Sequence, residues 1–318
     1  MEFRLIDRIR ERTALARGDV RLGIGDDAAV LAVPAGQELA VAIDTLVEGV
    51  HFPRGTAPAA IGWKALAVNL SDLAAMGAAP AWALLALTLP SAEPGWVDGL
   101  AEGFAELAGE HGLALVGGDT TRGPLCLSVA VHGFVPSGQA LTRAGARPGD
   151  AIMVTGTLGD AAGGLRLTRE GAMPDRMRVD HAHLLARLDR PTPRVRAGLA
   201  LRTRAHACID VSDGLLADLG HLCAASGVGA ELDVETLPLS AALRTVFGAA
   251  AARECALAGG DDYELCFTVS PEDVTDVESA LAAVACPVSR IGRIVAGEGV
   301  RVPGAAVPSS VGWDHFAR

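Results

Sequence analysis

Residues 61–90 read IGWKALAVNLSDLAAMGAAPAWALLALTLP, and the change of period inside this stretch sets the fold class. From Ile61 to Met76 the apolar positions Trp63, Leu66, Ala67, Leu70, Leu73 and Ala74 recur at helical spacing. Gly77 serves as a C-cap, and Pro80 blocks continuation. Residues 82–89 are an unbroken apolar run of strand length. Working outward, the alternation repeats. Residues 3–16 form an amphipathic helix stopped by Gly18, and 39–44 a buried strand ending in Asp44. Val97, Leu100, Ala101, Phe104, Leu107 and Ala108 mark a second helix, ended by Gly112. The strand 113–116 runs into Gly117-Gly118-Asp119, and another strand spans 125–135. Helices interleaved with strands predict an α/β or α+β fold.

At 318 residues the chain exceeds a single core, and a Gly/Pro-rich break over 137–150 divides it into domains 1–137 and 138–318. The second begins with the strand 151–155, then Gly156-Thr157-Leu158-Gly159-Asp160 and a helix. Residues 172–193 are rich in Pro and Arg without a clear period and read as a long surface connection. The strand 207–211 leads into a helix over 212–225 with Leu215, Leu216, Leu219, Leu222 and Cys223 on its core face. Residues 256–268 carry Gly259-Gly260-Asp261-Asp262 and a strand.

The net charge of −11 excludes nucleic acid as a general partner. It leaves room for small phosphate ligands, because divalent cations bridge acid to acid. Lys64 is the only lysine, and no G-x-x-x-x-G-K-[ST] loop exists, so P-loop nucleotide binding is ruled out. The six cysteines (126, 208, 223, 255, 266 and 286) form no C-x-x-C pair and read as buried free thiols of a reducing compartment. The first residues lack an apolar signal region, and the longest apolar run, 81–89, is too short to span a membrane. The expected location is the cytoplasm.

The aspartates carry the chemistry. They recur at apparent element ends: Gly25-Asp26-Asp27, Ile43-Asp44-Thr45, Ser71-Asp72, Gly118-Asp119-Thr120, Asp210-Val211-Ser212-Asp213 and Gly260-Asp261-Asp262. Carboxylates are hard oxygen ligands suited to Mg²⁺ or Ca²⁺, and adjacent glycines let backbone approach phosphate. Plain structural readings compete. Asp213 suits the first turn of a helix with Ser212 as N-cap, and Asp26-Asp27 and Gly118-Asp119 suit turns. Asp72 resists such a reading, since it falls late in a helix where the dipole disfavours an acid. Asp44 resists it too, since it ends an apolar strand. Six clusters together point to a multi-metal phosphate site. His51 stands alone, and a lone histidine is more often packed than ligating; no His/Cys cluster suggests zinc. Gly156-x-x-Gly159 is a weak phosphate-cradle signal. No G-x-S-x-G elbow is present.

The motifs Gly23-Ile24-Gly25-Asp26-Asp27-Ala28-Ala29, Asp44-Thr45-Leu46-Val47-Glu48-Gly49-Val50-His51-Phe52, Asn69-Leu70-Ser71-Asp72-Leu73-Ala74-Ala75-Met76-Gly77, Gly117-Gly118-Asp119-Thr120-Thr121, Asp210-x-Ser212-Asp213-Gly214-Leu215 and Gly259-Gly260-Asp261-Asp262-Tyr263-Glu264-Leu265 resemble, in order, those of the thiamine-monophosphate kinase family. The likeness runs from residue 2 to Gly312-Trp313-Asp314-His315-Phe316. It implies the two-domain fold of the aminoimidazole-ribonucleotide synthetase superfamily. In that fold the N-terminal domain binds ATP and Mg²⁺ and pairs its sheet with a second subunit, giving a homodimer, and ATP lies between the domains. It implies Mg²⁺- and ATP-dependent phosphorylation of thiamine monophosphate to thiamine diphosphate, the last step of that biosynthesis, by direct transfer without a covalent nucleophile.

Carried over position by position, Asp27, Asp44, Asp72, Asp119 and Asp210 match Mg²⁺ ligands, with Asp213 holding a further ion. At Ala42 and Ile43 only backbone carbonyls remain to contribute. Gly118, Asp119, Arg143 and Ser212 match ATP-contacting positions, and His51, Asp261 and Trp313 substrate-contacting ones. The family usually has Glu where this chain has Asp261. Two rivals stand beside this reading. The first is another ATP-dependent member of the superfamily, such as aminoimidazole-ribonucleotide synthetase, selenophosphate synthetase or the hydrogenase-maturation dehydratase; the second of these needs an N-terminal Cys or selenocysteine and the third ends in a reactive Cys, whereas here the first cysteine is Cys126 and the sequence closes Phe316-Ala317-Arg318. A non-catalytic metal or nucleotide sensor would show no turnover.

Overall fold

The computed structural model describes residues 2–169, 178–304, 312, 313 and 316. Its contacts divide the chain into two compact units, Met1–Leu73 with Ala78–Gly138, and Ala74–Gly77 with Gln139–Arg318.

The first unit opens with α1 (Glu2–Arg12), which buries Leu5 and Ile9 and pairs Arg8 and Arg12 with Asp98. The helix stops short of the residue 16 expected from periodicity. Thr13 Oγ1 bonds the Ile9 carbonyl at 2.8 Å, and Leu15 packs instead against Trp82, Val116 and Phe134. Two short strands, β1 (Val20–Leu22) and β2 (Val30–Leu31), form a small antiparallel pair.

The main sheet of this unit is built from β3 (Gln37–Val47), β4 (Ala79–Leu89), β5 (Ala114–Arg122) and β6 (Cys126–Pro136), in the order β3-β6-β4-β5. The β4–β5 pair is parallel, the others antiparallel. The β3–β6 ladder is unbroken from Gln37–Pro136 to Val47–Cys126. Asp44 therefore lies inside a strand rather than at its end, because Thr45-Leu46-Val47 continues the β pattern. One face of the sheet buries Leu85, Leu87, Leu127, Val129 and Val131; the other exposes Leu39, Val41, Ile43 and Leu84.

Two helices complete the unit, α2 (Pro58–Ala75) and α3 (Pro94–His111). They approach closely where Gly62 lies on Leu100 and Gly103 on Ala59; a Cβ at either glycine would collide with backbone. The α3 helix starts with proline in its first turn and ends on Gly112 in the left-handed region (φ 59°), as the sequence predicts. From Ala60 to Ala75 every residue of α2 is buried except Asp72.

The second unit contains β7 (Ala151–Thr155), α4 (Asp160–Arg169), α5 (Val179–Asp189), α6 (Val195–Leu201), β8 (Ala207–Val211), α7 (Leu215–Ser226), β9 (Gly229–Leu232), α8 (Ala241–Ala258), β10 (Glu264–Val269), α9 (Val274–Ala283), β11 (Val288–Val295) and β12 (Gly299–Arg301). Its sheet runs β12-β9-β11-β7-β10-β8 and is antiparallel except for β12–β9. Ile152, Val154, Ile209, Val211, Leu219, Leu222 and Ile291 form its core. The stretch read as a surface connection over 172–193 contains α5, which buries Leu184, Leu185 and Leu188; its flanking charges hid a three-residue apolar face. Residues 172–177 of that stretch lie outside the described ones. Helix α7 begins at Leu215 rather than 212, so Ser212 is not its N-cap; Gly214 is.

Candidate functional site

In the first unit, a cavity of about 1100 Å³ opens on the exposed face of the sheet and is lined by Arg10, Asp26, Asp27, Ile43, Gly118 and Asp119 among others. Asp27 and Asp119 are thus brought to one cavity from positions far apart in sequence. Local bonds shape both segments: Asp27 N donates to Asp26 Oδ1, and Thr120 N to Asp119 Oδ1, both at 2.9 Å. Gly118 and Asp119 are presented from within β5, not from a turn. The ladder slips at this point, pairing Ala83 with Leu115 but Leu84 with Gly117, so Val116 is the extra residue of a bulge. Gly118 is obligatory, since a Cβ there would strike the Leu85 carbonyl and its φ is 154°. His132 lines the same cavity, and burial holds its ring below the usual histidine pKa.

Asp44 is held through its backbone. Its N–H donates to Asn69 Oδ1 at 2.9 Å, and Asn69 Nδ2 donates to the Ala65 carbonyl at 2.9 Å. Asp72 sits one turn beyond Asn69 on α2, on the helix face that meets Asp44. Because β3 is the sheet's edge and the Asp44 amide points away from β6, the Ala42 and Asp44 carbonyls face the open edge. The Ile43 carbonyl points into the ladder opposite Ala130. Of the two backbone oxygens expected to bind metal, only that of Ala42 is on the edge. His51 Nδ1 accepts from the Val47 amide at 2.9 Å, which sets the ring as its Nε2–H tautomer. Lys64 Nζ donates to the His51 carbonyl at 3.0 Å, fixing the loop from below.

In the second unit, Asp210 is the penultimate residue of edge strand β8, and the chain turns through Ser212, Asp213 and Gly214 into α7. Two other segments lock onto this turn through three backbone bonds. Tyr263 N donates to Val211 O and Asp261 N to Ser212 O, both at 2.8 Å, and Trp313 N donates to Asp213 O at 3.0 Å. The structure therefore gathers Asp210, Ser212, Asp213, Asp261 and Trp313, with the Trp313 side chain half exposed. Arg143 lies on an exposed loop whose carbonyl accepts from Ser226 Oγ at 3.1 Å.

Three residues to which the sequence reading assigned no metal, ATP or substrate contact organise this site. Asp218, buried on the first turn of α7, accepts the amides of Ser212, Asp213 and Gly214 on one oxygen, at 3.0, 3.1 and 3.0 Å. Burial, and then the charge of Asp210, raises its carboxyl to a pKa of about 7. Glu264 is fully buried and receives Arg194 in a bidentate pair at 2.6 and 2.6 Å, with Arg187 at 2.9 Å and Thr155 Oγ1 at 2.7 Å. Asp262 is also buried; its Oδ2 accepts the Gly159 amide at 2.7 Å, while Oδ1 has no hydrogen-bond partner among the described residues. Burial pushes its pKa well above the ordinary carboxyl range. The acid-rich motif 259–265 hinted at Asp262 and Glu264, and no sequence signal pointed to Asp218.

The loop Gly156-x-x-Gly159 is not a phosphate cradle. Gly156 N is bonded to Pro287 O at 2.9 Å, Leu158 N to Pro238 O at 2.9 Å, and Gly159 N to Asp262. Among the described residues no group of three or more His, Cys, Asp or Glu is already arranged to hold a metal ion. The donor set nonetheless suits Mg²⁺, which is commonly held by one or two carboxylates while phosphate and water oxygens fill the octahedron. Burial is the largest cause of the raised Asp218 pKa, and the neighbouring charges of Asp210 and Asp213 add to it.

The family described as AIR synthase related protein, N-terminal domain, matches residues 25–135, and its C-terminal domain matches residues 147–304. The thiamine-monophosphate kinase of Escherichia coli (strain K12) is 47% identical over 324 residues, covering 99% of this chain and 98% of that protein. The crystal structure of thiamine-monophosphate kinase from Stenotrophomonas maltophilia K279a superposes with a TM-score of 0.90 at 56% identity, covering 95% of this chain and 96% of that one. A structure described as AaThiL complexed with AMPPCP and TMP superposes with a TM-score of 0.80 at 34% identity, covering 99% and 97%.

Proposed function

The chain belongs to the thiamine-monophosphate kinase family, and we propose that it acts as one, transferring the γ-phosphate of ATP to thiamine monophosphate to give thiamine diphosphate and ADP. The observation that carries this reading is the match, over 99% of the chain, to a relative complexed with AMPPCP and TMP, together with carboxylates set at the matching motif positions.

In the first unit Asp27, Asp44, Asp72 and Asp119, with the Ala42 carbonyl, would hold Mg²⁺; in the second, Asp210 and Asp213 would. When bound, the cations screen the repulsion between two anionic phosphates and neutralise charge on the leaving oxygen. The protein's own groups bind and orient. Gly118, bare of a side chain, lets the strand approach the nucleotide. Arg143 donates to phosphate from its exposed loop. Ser212 has its amide bonded to Asp218 and its carbonyl to Asp261 N, so its hydroxyl is the group that reaches ATP. In the first unit we assign His51 to thiamine monophosphate; in the second we assign it Asp261 and the half-exposed Trp313 ring, whose face suits a cationic thiazolium. The acceptor phosphate is ionised at neutral pH, so transfer needs no strong base and proceeds directly in line.

The exposed apolar face of Leu39, Val41, Ile43 and Leu84 supports a homodimer through the first unit. None of the described helices is long and apolar enough to cross a membrane. We place the reaction in the cytoplasm, where ATP is made and six unpaired thiols stay reduced. Incubation with ATP, MgCl₂ and thiamine monophosphate, followed by chromatography, is expected to give equimolar ADP and thiamine diphosphate. ADP release without thiamine diphosphate would refute the substrate. Chiral γ-phosphate is expected to invert; retention would refute direct transfer.

A further inference from the structure

We propose that Asp218 is the positioning residue of the second unit's site: its carboxylate fills the turn 212–214 from inside, so that the turn offers Asp210, Asp213 and the Ser212 hydroxyl to a cation and its phosphate rather than bare amides. This rests on the reading of Asp210 and Asp213 as Mg²⁺ ligands.

Three successive amides converging at the start of a helix ordinarily form an anion site. Here that site is already taken. Ser212, Asp213 and Gly214 all donate to one oxygen of Asp218, and Asp218 is only 3% exposed. The N-cap Gly214 has no side chain to satisfy these donors (φ 131°), so the turn depends on an acid four residues on. A Cβ at Gly214 would meet the Ala258 backbone, and one at Gly260 the Ser212 carbonyl, so the turn is closely walled on its other side by backbone. Asp218 fixes the direction of the backbone from which both ligand side chains leave. It touches no reacting group, and its effect runs through Asp210 and Asp213.

The test uses the full chain as wild type, Asp218→Ala, Asp218→Asn and Asp210→Asn. MgCl₂ titration is read by calorimetry, and amide hydrogen exchange is followed over 212–214. Asp218→Ala is expected to weaken Mg²⁺ binding about tenfold or more, the usual effect of losing a group that orients a ligand, and to speed exchange of the three amides at least as much. Asp218→Asn keeps an acceptor oxygen in the turn and is expected to stay within about threefold of wild type in both measures. In turnover, the Mg²⁺ concentration for half-maximal rate is expected to rise in Asp218→Ala, while kcat at saturating Mg²⁺ changes little. Wild-type Mg²⁺ affinity and wild-type exchange in a folded Asp218→Ala would overturn the proposal. So would an Asp218→Asn as weak as the alanine variant, since the carboxylate would then act by charge as a ligand. If the alanine variant does not fold, the asparagine variant alone decides by the same criterion. Asp210→Asn tests the underlying reading. Unchanged Mg²⁺ affinity there removes Asp210 as a ligand, and amide exchange alone then decides the role of Asp218.

Discussion

The Tyr263 hydroxyl donates to Asp261 Oδ1 at 2.8 Å, and both residues hold left-handed backbones, with φ of 52° and 68°. For an aspartate that conformation is tolerable; for a tyrosine it is a true outlier that the surroundings must enforce. The bonds from Asp261 N to Ser212 O and from Tyr263 N to Val211 O enforce it. Tyr263→Phe is expected to raise KM for thiamine monophosphate by roughly fivefold, the value of one hydrogen bond of about 1 kcal/mol, with kcat and melting temperature little changed. An unchanged KM would separate the phenol from Asp261's role.

Asp72→Asn and Asp44→Asn are each expected to lower kcat at least about 100-fold, because each removes a carboxylate from the cation site. Circular dichroism and melting are expected to match wild type, since both side chains are only partly buried. Near-normal turnover at limiting Mg²⁺ would strike that residue from the ligand set.

Stability is expected to fall as pH rises above the ordinary carboxyl range. Unfolded carboxyls ionise near pH 4, whereas buried Asp262 keeps its proton well above that and Asp218 keeps its own to about pH 7. Over that window the folded chain binds more protons than the unfolded one, so rising pH favours unfolding. Asp262→Asn cannot titrate and still offers an oxygen to the Gly159 amide. Urea unfolding at pH 5 and pH 8 is expected to show a shallower decline in this variant; an equal decline would acquit Asp262.

Burial raises the thiols of Cys208, Cys223, Cys255, Cys266 and Cys286, those of Cys223 and Cys286 to about 11. Native protein at pH 8 is expected to react with Ellman's reagent at Cys126 alone, and at all six cysteines once unfolded. Rapid labelling of more than one thiol in the folded state would contradict the packing described.

Val41→Asp places a charge on the open face of β3, where Val41 is 59% exposed. Sedimentation is expected to give a species of twice 32.5 kDa for wild type and a monomer for the variant. A monomeric wild type at micromolar concentration would remove the dimer.

The alternation of period in 61–90 read through to α2 and β4, and Gly112 to a C-cap, because those signals are local. Sequence alone reads Gly118 and Asp119 as a turn rather than as strand residues, since a bulge is a property of pairing with β4. Asp218 stood outside every acidic cluster read from the sequence; only the closing of the turn onto it gives it three donors. Helix α5 was lost among arginines and histidines, because its apolar face is only three residues wide.

Helix α2 presents one window, Asp72, in a run from Ala60 to Ala75 that is otherwise sealed. A saturation library across this run, scored once for cellular abundance and once for growth that depends on the product, should therefore give two maps that agree almost everywhere. Substitutions at the sealed positions are depleted from both maps, because they remove the protein. At Asp72 alone the maps should part, with variants plentiful in the cell and inert.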